Sequence, residues 1–82
     1  MVLDLDRYEM TRTERLLDMM IYLDEVRETT VQRLCERYGR SRSVVYGDLL
    51  TLETLFNVPF VEKTGKCVRV ISDWRIFGKV YS

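Results

Sequence analysis

The chain has no histidine, and its 82 residues include only two cysteines, one proline and four glycines. Without histidine it lacks the commonest general base and the commonest zinc ligand. Cys35 and Cys67 do not stand in a C-x-x-C spacing, so neither a metal site nor a redox pair is indicated. Both read as small apolar side chains in a reduced protein. There is no glycine-rich phosphate loop and no serine or cysteine nucleophile beside a recognisable base. An enzyme is therefore not expected, and no cofactor or small-molecule effector is indicated. The opening residues MVLDLDRYEM carry acids where a secretory leader would be basic and then apolar. No apolar run approaches the roughly 18 residues of a membrane span. These features predict a cytoplasmic protein without a membrane partner.

What the chain does contain is the balance of a folded domain, with 46% apolar and 32% charged residues. At this length there is room for one core, and a domain so small buries only ~60–65% of the surface its chain exposes. The formal net charge is zero, but the charges are segregated. In residues 1–28 four arginines stand against eight carboxylates, leaving −4, so residues 29–82 carry +4. In the second part Arg33, Arg37, Arg40 and Arg42 meet only Glu36 before Asp48, and Lys63, Lys66 and Arg69 form another basic group. An acidic front of this kind orients a molecule whose basic side approaches a polyanion.

Residues 1–10 read as a flexible arm. Thr11-Arg12-Thr13-Glu14 then matches the capping box that opens a helix. Leu16, Met20 and Leu23, widened by Leu17 and Ile21, give an apolar face over roughly 12–25. That methionine-bearing stripe is read as core, with a partner surface as the alternative. Thr29 or Thr30 starts a second helix, with Thr29 and Gln32 as a further capping box. Val31, Leu34, Cys35 and Tyr38 form its inner face, and Gly39 takes the left-handed position that ends it near residue 38. Ser41 caps a third helix over 42–56, with Val45, Leu49, Leu52 and Phe56 inward. After Pro59, segments 60–63 and 66–71 are rich in β-formers, and Thr64-Gly65 between them reads as a hairpin turn. A short third strand is available within 26–30. Two helices joined by a short glycine-containing turn are the helix-turn-helix pattern. With the hairpin as a wing, the expected class is α+β, a winged helix-turn-helix of three helices and a β-hairpin spanning 11–73. Trp74, Ile76, Phe77, Val80 and Tyr81 make residues 74–82 an apolar tail, which either folds back over the core or serves as a dimer contact.

Around residues 38–49 the chain resembles the DNA-binding domain of the DeoR-type bacterial regulators. That family's pattern runs approximately aromatic-Gly-apolar-Ser-x-x-Thr-apolar-Arg-Arg-Asp-Leu-x-x-Leu. Gly39, Ser41, Val45, Asp48, Leu49 and Leu52 fall in register, and the similarity extends from about Thr11 to Ile71. Val44 stands where the family prefers threonine, Tyr46-Gly47 replaces its arginine pair, and the sugar-binding domain that usually follows is not in this chain. The resemblance implies sequence-specific binding of double-stranded DNA and transcription regulation, with the third helix in the major groove.

On the third helix Ser43, Tyr46, Gly47, Leu50 and Thr54 are expected to point away from the core. Ser43 can hydrogen-bond a base edge, and Tyr46 can contact a thymine methyl or a phosphate. Gly47 is costly inside a helix by ~1 kcal/mol relative to alanine, which close approach to DNA would explain. Arg40, Ser41 and Arg42 flank the helix N-terminus, where phosphate is favoured. Lys63 and Lys66 flank the wing tip, within reach of an adjacent backbone. Asp48 reads as structural, paired with a nearby arginine. A homodimer reading two half-sites is one expectation. The alternatives are a winged-helix protein-interaction module without DNA binding and a DNA-binding piece of a larger sensor.

Overall fold

In the computed structural model, which describes residues 9–62, 67–71 and 73–75, three helices pack against a three-stranded antiparallel sheet. The order is α1 (Arg12–Val26), β1 (Glu28–Thr30), α2 (Val31–Tyr38), α3 (Arg42–Leu55), β2 (Phe60–Glu62) and β3 (Cys67–Val70). The last strand is the central one, with sheet order β1-β3-β2. Glu28, Thr29 and Thr30 pair with Arg69, Val68 and Cys67. On the other side Phe60 faces Val70, with an irregularity before Glu62. The short strand expected within 26–30 is thus β1. The tip of the expected hairpin, with Lys63 and Lys66, lies outside the described residues, as do residues 1–8 of the arm and 76–82 of the tail.

Local signals set most element boundaries. Thr11 accepts from the Glu14 backbone and Glu14 returns the bond to the Thr11 N–H, so the capping box that opens α1 is complete. At the other end Arg27 takes a left-handed conformation, φ 65°, and its N–H closes on the Leu23 carbonyl. This is uncommon for a residue with a Cβ. Both its backbone and its side chain are held: the carbonyl accepts from Val70 N–H at 2.9 Å, and the guanidinium donates to the Ile71 carbonyl at 2.8 Å. The reversal passes the chain from α1 straight into β1.

Of the two threonines expected to start the second helix, Thr30 is the N-cap, accepting from Arg33 N–H at 3.0 Å, and the capping box expected of Thr29 with Gln32 does not form. Residues 28–30 are extended and paired, and strand alternation turns Thr29 inward against Val68 while Thr30 is left to cap. The Thr29 hydroxyl is consequently buried without a hydrogen-bond partner. Thr29→Val keeps the branched shape and removes that orphan, so it is expected to stabilise the domain by about 1 kcal/mol, as urea unfolding would measure. A destabilised variant would show that the hydroxyl has a partner after all.

The core is drawn from every layer: Leu16, Met19 and Leu23 from α1; Val31, Leu34 and Tyr38 from α2; Val45, Leu49 and Leu52 from α3; then Val58, Val68 and Val70. Leu17 and Ile21, expected to widen the α1 stripe, are instead about half exposed. They lie outside the narrower inner face of Leu16, Met19 and Leu23, with Leu17 at the edge of a groove shared with the end of α3. Phe56, expected on the inner face of α3, is also exposed. The helix ends at Leu55, Phe56 sits in its cap, and Asn57 turns left-handed. That turn places Val58 in the core instead, with its N–H on the Leu52 carbonyl at 3.1 Å.

Candidate nucleic-acid interface

The third helix is positioned at its start, middle and inner face by separate devices. Gly39, left-handed at φ 63°, ends α2, and Arg40 N–H bonds the Cys35 carbonyl at 3.2 Å. Ser41 then caps α3 by accepting from Val44 N–H at 3.4 Å. At mid-helix Asp48 is buried and receives both Nε and Nη2 of buried Arg15, at 2.5 and 3.2 Å. The forked geometry fixes both orientation and distance. With Val45, Leu49 and Leu52 in the core, this buried pair sets the rotation of α3 about its own axis. The structural role expected of Asp48 is what the geometry gives, with Arg15 of α1 as the partner.

The opposite face of α3 carries Ser43, Gly47, Leu50 and Thr54, all exposed. A Cβ built on Gly47 would meet nothing within 4 Å, so no contact inside the domain requires a glycine there. Thr51 and Thr54 donate their hydroxyl protons to the helix carbonyls of Gly47 and Leu50, at 3.0 and 2.9 Å. Tyr46 differs from expectation. It lies on the flank, about 100° from Val45 at one residue's helical rotation, and packs half-buried against the core. Only part of its ring is available to a partner.

The cations around α3 divide into committed and exposed ones. Arg37 lies 4.0 Å over the Tyr22 ring and bonds Asp18 at 3.1 Å, so it docks α2 on α1. Tyr38 donates to the same carboxylate at 2.5 Å. Burial, reinforced by that bond to Asp18, raises the phenol well above its ordinary pKa. Arg42 is exposed, and half-buried Arg40 bonds only weakly to the Gly39 carbonyl at 3.4 Å. Arg33 on α2 is a further exposed cation. Its position between inward Val31 and Leu34 was the signal that could have added it to the candidate set. Arg69 on β3 is exposed too, but its register partner across the sheet is Glu28.

The tail begins by folding back. Trp74 packs half-buried against the core, its N–H on the Ile71 carbonyl at 3.0 Å, with Arg27 6.0 Å over the indole. A separate apolar patch lies on the other side, where exposed Leu17, Leu55 and Phe56 line a groove with Arg12 and Thr51. Among the described residues no helix is long and apolar enough to cross a membrane, and no cluster of three metal-ligating side chains occurs.

Compared with known families, with curated proteins and with solved structures, the chain matches none.

Proposed function

We propose that the chain is a winged helix-turn-helix domain that binds double-stranded DNA in a sequence-specific way, as part of a transcriptional regulator of the DeoR type. The observation that carries this reading is the outward face of α3. It is uncharged and exposed among the described residues, set in rotation by Arg15–Asp48, with exposed Arg42 at the start of the same helix and exposed Arg33 on α2. In the reading proposed, that face enters the major groove, Arg33, Arg40 and Arg42 neutralise phosphates, and Ser41 orders the helix start between them. In the same reading β2 and β3 belong to the wing, and Lys63 and Lys66, which the sequence puts between them, are its cations toward the neighbouring backbone. A homodimer would double the few base pairs that one such helix can read.

Selection from a randomised duplex pool at low salt, with sequencing of what is retained, tests the proposal. An enriched motif supports it, and retention of no duplex overturns it. A second reading, a protein-interaction module, is favoured by one observation, the exposed cluster Leu17, Leu55 and Phe56 beside a groove. It predicts the empty outcome of the same selection.

Gly47 separates folding from binding. Gly47→Ala should raise stability by ~1 kcal/mol, because the helix gains a better former and the new methyl meets open space. In the proposed complex the same methyl stands between backbone and base edges, so duplex affinity should fall. Urea unfolding and a binding titration on the one variant check both signs, and unchanged affinity would place Gly47 outside the interface.

A further inference from the structure

The outward face of α3 has a composition that constrains what it can read. Among Ser43, Gly47, Leu50 and Thr54 there is no arginine, lysine, asparagine or glutamine. Those are the side chains that make bidentate contacts to guanine or adenine in the major groove. The threonines of α3 do not replace them. Thr54 has its proton on the Leu50 carbonyl, while Thr51 has its proton on the Gly47 carbonyl and accepts from Arg12 Nη2 at 2.7 Å. Their methyl groups remain. Leu50, at 54% exposure, presents about half of its side chain on the face, midway along the helix and near a glycine that lets the backbone approach. Apolar surface in the middle and cations at the margin match one feature of a duplex. The major-groove edge of thymine carries a methyl group, and phosphates border the groove on both sides.

We infer that α3 recognises thymine methyl groups, so that the preferred duplex is one with T·A pairs under Leu50 and Thr54, with Ser43 supplying the one free hydroxyl on the face. This rests on the DNA-binding reading and names the class of site that reading would take. Guanine is disfavoured at the positions under Leu50 and Thr54, because its O6 and N7 acceptors would lose water there without gaining a donor.

The experiment uses the full chain and the duplex enriched from the random pool. Each thymine of the motif is replaced in turn by deoxyuridine, which removes the methyl and leaves pairing intact. At one or two positions the dissociation constant should rise about fourfold, the transfer value of one methyl-sized group. In Leu50→Ala, an exposed and therefore foldable variant, the same replacement should have no effect at the position Leu50 covers. A motif built on G·C pairs, or deoxyuridine substitutions without effect throughout, would overturn the inference while leaving DNA binding standing. Retention of no duplex would overturn the DNA-binding reading and this inference with it.

Discussion

Asp48→Ala should cost about 3–5 kcal/mol of folding stability, because it leaves the Arg15 guanidinium buried with no counter-charge. Small domains sit at the lower end of the usual range of about 5–15 kcal/mol, so the variant should keep no more than about 2 kcal/mol and be partly unfolded at room temperature. Arg12, 3.8 Å from the same carboxylate but exposed, does not change this, since a solvated pair contributes little. The loss comes from the uncompensated charge and not from the attraction itself. The double variant Arg15→Met with Asp48→Leu should therefore recover most of it and stay folded. Circular dichroism and urea unfolding of the three proteins check the set. A loss below ~1 kcal/mol in Asp48→Ala would mean that water reaches the pair. The double variant also isolates a functional question, because it keeps α3 in the core while removing the device that fixes its rotation. Weaker sequence discrimination in that folded protein would locate specificity in the angular setting of the helix.

Duplex binding should weaken roughly a hundredfold between about 50 and 200 mM salt. If about four phosphates are neutralised by each chain, the logarithm of the binding constant falls against that of salt with a slope near −3.6. The candidates for these four contacts are five, Arg33, Arg40 and Arg42 from the helical region and Lys63 and Lys66 from the segment between β2 and β3. Arg42→Ala should make the slope shallower by about one and weaken all sequences alike, since phosphate contacts carry no base information. Titrations at several salt concentrations give the slope directly. A flat response would indicate a protein partner on this surface instead of a polyanion.

Features decided by adjacent residues were legible in the sequence. Thr11 with Glu14, Gly39 and Ser41 each act within one helical turn, and each sits where the spacing put it. Features decided at a distance were not. That Asp48 is paired could be read from an acid on the inner edge of a helix, but its partner comes from 33 residues away. Thr29 and Thr30 are equivalent as caps until strand pairing with β3 chooses between them. Phe56 fits the helical period, and only the left-handed turn at Asn57 shows that Val58 replaces it. Tyr46 sits where neither the inner nor the outer assignment is exact, and larger side chains at such angles fold toward apolar surface. Arg37 looked like one more free charge, because nothing nearby in the sequence announces Tyr22 and Asp18 as its partners.

The placement of β3 has a consequence for how the domain comes into being. It is the latest of the three described strands to leave the ribosome, yet it supplies the partner for both of the others. Until residue 70 has emerged, α1, α2 and α3 can form turns and collapse on one another, but β1 has no strand to join. Closing Glu28 onto Arg69 spans half of the chain, and that loop entropy must be met before the pairing rewards it. On this topology the sheet can close only after all three helices have left the ribosome. A chain that stops before Cys67 retains β1 and β2 only as unpaired edges, the form most prone to join another molecule.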